Sequence, residues 1–251
     1  MPRVVAYEDA KSAQKTRRGT TRTPFLGSID TPQLPVAFLS QGDPDRVIRP
    51  HWHVVDQFQV IVGGNGRLGR HEVDPYYVHF SRAYTPYGPL VGSSKTGISF
   101  FTMRARYDPG AQYLPESRER LRQIADRHPW QISQKITFPS GTSGTHAGAI
   151  NLQKVPGMED DVGLSAYSLS MGARETTIAP NPSNSGGQFI LVVKGSLWYG
   201  EKEHRAYTTV FSTPGDDAFH VEAGTDGLQA IVLSFPRANT GVAAASIAAA
   251  G

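Results

Sequence analysis

An internal repeat is the feature that most constrains the fold of this chain. The segment QFQVIVGGNGRLG (57–69) aligns with QFILVVKGSLWYG (188–200), and the aligned pairs include Gln57 with Gln188, Phe58 with Phe189 and Gly64 with Gly195. Further on, VHFS aligns with VFS, each copy has a Thr-Pro pair, and GISFFTMRAR aligns with GLQAIVLSFPR. Two copies of one structural unit explain this pattern better than one large irregular domain does.

Each copy consists of short segments that are typical of β-strands. They are rich in β-branched and aromatic residues and are closed by Gly, Pro, Asn or Asp. The whole chain has 26 Gly and 18 Pro, which favours many turns over long helices. The predicted strands cover residues 35–40, 57–62, 76–80, 97–106, 165–171, 188–193, 204–212 and 228–235. We therefore expect an all-β protein.

The remaining segments complete the expected domain plan. Residues 115–130 have apolar side chains at helical spacing between two prolines, which predicts one helix between the copies. Residues 11–22 carry five basic side chains without an apolar face, which indicates a solvated arm or, alternatively, a phosphate-contacting one. The predicted plan is an N-terminal arm (1–34), a first β unit (35–110), a helix and linker (111–150), a second β unit (151–237) and a C-terminal tail (238–251).

Composition excludes several classes of function. The 25 basic and 22 acidic residues nearly balance, so nucleic acid binding is not indicated. The absence of cysteine excludes disulfides, thiolate catalysis and zinc-thiolate sites. We find neither a secretory signal nor a run of about 18 apolar residues, so we expect no membrane association and a cytoplasmic location.

The stretch RPHWHVVDQFQ (49–59) contains the strongest candidate site. Residues two apart on a strand face the same side, so His51 and His53 can converge on one cation, while Trp52 faces the opposite layer. The amide oxygen of Gln57 can join them, or a one-residue bulge can bring the Asp56 carboxylate there instead. Without a metal, the same histidines can hydrogen-bond to a small ligand.

These residues resemble the first motif of the cupin family, which reads H-x-H, three or four residues, E, six residues, G. Here His51, His53 and Gly64 match, whereas Gln57 stands at the glutamate position. The second motif, P-x-G-x-x-H, is similar to PGDDAFHVEAG (214–224) in the second copy, where His220 matches. The resemblance implies a bicupin, two jelly-roll β-barrels, with a divalent metal on His51, His53 and Gln57.

The resemblance also implies which metal and which chemistry to expect. Fe(II) is favoured, with Zn, Ni or Mn as alternatives, and because an amide is neutral the ion would keep its full charge. The implied function is an oxygenase acting on a small oxygenated or aromatic organic acid. The alternative is a non-catalytic cupin that binds a small molecule, for sensing or storage, without metal. A homodimer is also expected, because cupin barrels associate through sheet edges.

Several further residues are candidates for the site or its surroundings. Tyr87 is the predicted catalytic residue, as a phenolic contact to substrate or to metal-bound water. The other candidates, each with a surface or structural role as the alternative, are His71, His79, Tyr84, Arg49 and Arg104. In the second copy Pro182 and Asn184 replace the paired histidines, so we expect that barrel to be structural.

Overall fold

The computed structural model describes residues 1–27, 31, 35–139 and 150–237. The elements of the first half are β1 (Arg3–Val5), α1 (Tyr7–Lys11), β2 (Lys15–Arg17), β3 (Thr20–Leu26), β4 (Val36–Gly42), β5 (Val47–Ile48), β6 (His51–Trp52), β7 (Gln57–Gly64), β8 (Gly66–Leu68), β9 (His71–Val73), β10 (Tyr77–Ser81), β11 (Leu90–Gly92), β12 (Ile98–Arg104), β13 (Gln112–Tyr113), α2 (Arg118–Arg122) and β14 (Gln131–Lys135). Those of the second half are β15 (Asn151–Glu159), β16 (Ser165–Met171), β17 (Thr176–Ile178), a 3-10 turn (Pro182–Asn184), β18 (Gln188–Tyr199), β19 (Lys202–Arg205), β20 (Thr209–Ser212) and β21 (His220–Ser234).

The strands form two β units, one from each half of the chain. In the first unit a seven-stranded antiparallel sheet, ordered β14-β10-β7-β12-β4-β3-β2, accompanies a four-stranded sheet, β5-β11-β8-β9. In the second unit the eight-stranded sheet follows the order β1-β20-β18-β21-β16-β15, with β17 on β21 and β19 on β18. The structure confirms the predicted all-β fold with two jelly-roll barrels.

The two barrels share one apolar core, which is built from the outer faces of their large sheets. Alternate residues of β7 and β18 point into this core, so Phe58 and Phe189 are both fully buried there. Phe235 links them, with ring centroids 5.0 Å from Phe58 and 6.2 Å from Phe189. The rings Phe80 and Phe211 flank the same cluster.

The repeat is also visible in the turns that follow β7 and β18. Gly64 and Gly195 have φ angles of 66° and 70°, in the left-handed region that favours glycine. A Cβ atom at either position would collide with a backbone carbonyl, that of Gly97 or that of Gly227. The aligned glycines therefore occupy the same position in both barrels for the same steric reason.

Two segments of the predicted domain plan contain strands that the sequence did not predict. The segment expected to be an N-terminal arm supplies strands to both large sheets, since β1 pairs with β20, and β3 pairs with β4. Alternation in TTRTPFL explains this placement, because it lets Thr23 and Phe25 be buried. The segment expected to be a linker contributes β13 and β14, which pair with β6 and β10 of the first barrel.

The predicted helix is shorter than its apolar spacing indicated. Only Arg118–Arg122 is helical, and Leu121 is the buried residue of that turn. The helix ends at Arg122, well before Pro129, and the next element is β14. A helix of five residues has little intrinsic stability. The predicted strand over 204–212 is likewise two strands, β19 and β20. The tail 238–251 lies outside the described residues. None of the described helices is long and apolar enough to span a membrane.

Candidate functional site

The two histidines of the H-x-H stretch lie together at one end of the first barrel. His51 belongs to the two-residue strand β6, which pairs with β13, and its backbone also exchanges two hydrogen bonds with Tyr87. The rings of His51 and His53 are 5.1 Å apart between centroids, and both are buried. Trp52 faces away and donates to Ser117 Oγ at 2.9 Å, as the alternation predicts.

Hydrogen bonds fix which nitrogen of each ring carries the proton. His51 Nδ1 donates to the carbonyl of Arg49 at 2.7 Å, and His53 Nδ1 donates to Asp108 Oδ2 at 2.8 Å. Burial lowers the pKa of His51 to about 4 and also lowers the pKa of His53, so both rings are neutral. Each Nε2 therefore carries a lone pair and can accept a hydrogen bond or bind an ion.

Gln57 points into the barrel, as the sequence predicts. Its Nε2 donates a hydrogen bond to the Tyr87 hydroxyl. Burial raises the pKa of Tyr87, which keeps its phenol protonated. The alternative with Asp56 in the site is wrong, because Asp56 Oδ1 instead accepts from the backbone N–H of Ala83 at 2.8 Å. No bulge exchanges the two side chains.

The structure places Arg104 at the centre of the predicted metal site. Its side chain enters from β12 and is only 5% exposed. Nε and Nη2 donate to Gln57 Oε1 at 3.1 and 2.7 Å. Nη2 also lies 3.2 Å from Nε2 and 3.3 Å from Nδ1 of His53, so the guanidinium rests against that ring.

Asp108 joins His53 to Arg104 in the candidate site, and the sequence did not predict it. Its carboxylate holds His53, lies 3.4 Å from Arg104 Nη1, and accepts the backbone N–H of Gly110 at 3.0 Å. Although burial alone would raise it, the pKa of Asp108 is lowered by the hydrogen bond from His53 and by the charge of Arg104. Its position four residues after Arg104, in the turn sequence Asp-Pro-Gly, was the available signal.

The surroundings of the site are cationic and aromatic. The guanidinium groups of Arg22 and Arg104 lie 4.0 and 5.7 Å from the centre of the Phe38 ring. At the exposed edge Tyr113 is 40% accessible and its ring lies 5.5 Å from that of His51. With Asp108 as the one carboxylate among these groups, two arginines leave a net positive charge.

The other candidates are distributed around this site. His79 is buried next to Tyr87, with ring centroids 5.2 Å apart. Arg49 is exposed and forms an ion pair with Glu116 at 2.8 Å. Tyr84 packs on Trp52 instead of entering the site, and His71 is exposed.

Among the described residues of the second barrel, none forms a comparable centre at the matching position. Pro182 and Asn184 form a 3-10 turn, and His220 is exposed on β21. The interior of this barrel is filled by apolar side chains, among them Ile190, Val210 and Val232.

The donor set of the candidate site does not meet the needs of a divalent ion. Within residues 1–27, 31, 35–139 and 150–237, no three His, Cys, Asp or Glu side chains are grouped to hold a metal. Of the three predicted ligands, Gln57 already accepts two bonds from a guanidinium and His53 lies against it. A cation thus lies against two of the three predicted ligands, and the side chains as arranged do not fit a resident metal.

Comparisons with known proteins address the fold. No protein-family model matches the sequence, and no curated protein sequence matches it either. Among solved structures, the nickel(II) complex of the bacterial pirin YhhW from Escherichia coli superposes with a TM-score of 0.61 at 9% identity, over 95% of this chain and 100% of the pirin.

Two further structures show the same architecture. Oxalate decarboxylase from Bacillus subtilis, which has Mn(II) centres, gives a TM-score of 0.59 at 8% identity, over 94% of this chain and 78% of the decarboxylase. A candidate dioxygenase from Nostoc punctiforme gives a TM-score of 0.63 at 11% identity, over 94% of this chain and 83% of the dioxygenase. These neighbours are cupin superfamily members, and some of them hold metals. The chain therefore has the two-barrel fold of the cupin superfamily.

Proposed function

We propose that the first barrel binds a small organic anion without a resident metal, and that the Arg104 guanidinium is the charge partner of this ligand. The position of Arg104 supports the proposal most directly. A buried arginine is retained only where its charge is paired. Asp108 supplies one negative charge at 3.4 Å from Arg104, whereas Arg22, over the same Phe38 ring, adds a second positive charge. An anion would complete the pairing and make use of the planar donor face of the guanidinium.

The surroundings favour an aromatic or otherwise flat organic acid. Phe38 lies under the guanidinium of Arg22, and Tyr113 offers a further ring at the exposed edge. His51 Nε2 and the Tyr87 hydroxyl supply polar groups that can orient the rest of the ligand. Sensing, storage or conversion of the ligand are all compatible with this recognition step.

Isothermal titration with benzoate, in the presence of a chelator, tests the proposal. We expect wild-type protein to bind benzoate and Arg104→Met to bind it about 10- to 100-fold more weakly, because a charge-assisted hydrogen bond is lost. Arg205→Met is the control, because this exposed arginine lies on β19 of the second barrel, away from the site. Thermal unfolding checks that both variants are folded. Equal binding by wild-type and Arg104→Met protein would refute the proposal.

A metal-dependent enzyme is the second candidate, and the nickel and manganese of the structural neighbours favour it. In this case His51, His53 and Gln57 would hold a divalent ion, Fe(II) or another, for oxygenase chemistry on a small organic acid. Arg104 would then have to leave the position that it occupies. Elemental analysis of untagged protein separates the two candidates, since the first predicts far less than one metal ion per chain.

A further inference from the structure

The two barrels provide an internal comparison of their inner faces. Gln57 pairs with Ser81 in the first barrel, as Gln188 pairs with Ser212 in the second. Two residues further along each strand the match ends. Gln59 faces His79 and Thr102, whereas Ile190 faces Val210 and Val232. At identical positions the first barrel thus has a buried polar layer where the second barrel has hydrocarbon.

Within this polar layer His79 has an unused hydrogen-bonding atom. Its Nδ1 is bonded to Ser133 Oγ at 2.8 Å, but its Nε2 is buried and has no partner among the described residues. The residue is 4% exposed, and burial lowers the pKa of its ring to about 3, so the imidazole is neutral. Unpaired buried polar atoms are rare and unfavourable, so this nitrogen is available to form a hydrogen bond with a bound molecule.

We propose that His79 determines ligand specificity by hydrogen-bonding to a second polar group of the organic acid that Arg104 anchors. This inference rests on the proposed function and names its substrate class more closely. The serine hydroxyl can donate or accept, so His79 Nε2 can accept from a hydroxyl or donate to a carbonyl. The ligand is therefore an acid that carries a second oxygen, as a hydroxyl or oxo group.

The strand geometry sets the separation of the two groups. Strands rise about 3.3 Å per residue, so the layer of His79 and Gln59 lies about 6–7 Å along the sheet from the layer of Gln57 and Arg104. A ligand that reaches both layers carries its second oxygen at about this distance from the carboxylate. A para-hydroxylated aromatic acid has this length, and it also suits the aromatic surroundings of the site.

Titration with 4-hydroxybenzoate and 4-methylbenzoate tests the inference, because these probes differ in hydrogen bonding but hardly in shape. We expect wild-type protein to prefer 4-hydroxybenzoate about tenfold. His79→Leu should lose this preference and keep its affinity for 4-methylbenzoate. His79→Gln retains a hydrogen-bonding group, so it should keep part of the preference and provides a second variant if His79→Leu does not fold.

The outcomes separate the two proposals. Equal affinity of wild-type protein for both probes, or a preference that His79→Leu retains, would overturn the role of His79 and leave the role of Arg104 intact. If neither probe binds in a manner that depends on Arg104, the proposed function fails and this inference fails with it. Binding of both probes to Arg104→Met as tightly as to wild-type protein has the same meaning.

Discussion

Replacing Arg104 by an apolar residue and Gln57 by glutamate should convert the first barrel into a metal site. In the wild-type protein Arg104 Nη2 lies 2.7 Å from Gln57 Oε1. A divalent ion bound to that oxygen at about 2.1 Å would lie within about 5 Å of the guanidinium nitrogen. The repulsion between a dication and a unit charge at this distance is about 7 kcal/mol at an effective dielectric constant of about 20.

Asp108 offsets part of this repulsion, since its carboxylate lies 3.4 Å from Arg104. In the double variant Gln57→Glu, Arg104→Leu the repulsion is absent, the introduced carboxylate is free to bind the ion, and Asp108 still orients His53. A gain of about 4 kcal/mol, which is little more than half of the repulsion, tightens binding about a thousandfold. The single variant Gln57→Glu should gain little, because its new carboxylate pairs with Arg104.

The assay is titration of untagged, chelator-treated protein with Ni(II) and with Mn(II), combined with elemental analysis. The same double variant with His51→Ala and His53→Ala is the control, and it should lose the binding. Wild-type protein that is purified with nearly one ion per chain, bound through His51 and His53, would refute the argument that Arg104 excludes a metal.

Three other predictions concern stability and are measured by denaturant unfolding. His79 has a pKa of about 3 when folded and about 6.5 when unfolded, so the unfolded chain binds its proton first as the pH falls. Lowering the pH from 7 to 5 should therefore remove about 2 kcal/mol of stability, and His79→Leu should reduce this loss; an identical loss in the variant would contradict the assignment. Gly195→Ala should destabilise by more than about 1 kcal/mol, and Gly200→Ala by less, because Gly200 has a similar φ but open space around it; equal effects would show that the carbonyl contact is unimportant. Phe189→Ala should cost about 3–5 kcal/mol, and a much smaller loss would mean that the barrels do not depend on their shared core.

The architecture was predictable because its signals are local. Strand alternation and turn residues can be recognised within a few residues, and the two copies can be recognised by aligning short segments. Together they predicted the two barrels and the central strands of the large sheets, among them β7, β12, β18 and β21. The N-terminal strands were missed because β1 pairs with β20, and β3 with β4, across the fold. Such pairing depends on which sheet edge is free, and the sequence of the segment does not contain that information.

The site was predictable only in part, for a related reason. His51 and His53 are two residues apart, and their convergence follows from strand geometry. Arg104 reaches Gln57 from a different strand, so its role depends on the register between β7 and β12. The alternation in ISFFTMR does place Phe100, Thr102 and Arg104 on one face, which is a usable sign that the arginine points inward. Asp108 becomes visible as its partner only once that direction is known.

The two copies differ in a way that follows from what each face of their large sheets contacts. The outer faces of the large sheets pack against each other, so a change in Phe58 or Phe189 disturbs both barrels at once. Each inner face contacts only its own barrel, and it can change without that penalty. The aligned residues accordingly agree on the shared core and at the turn glycines, whereas His79 and Val210 differ at one inner position. In a chain of this design, a polar residue whose repeat partner is apolar marks a ligand site more specifically than its own sequence context does.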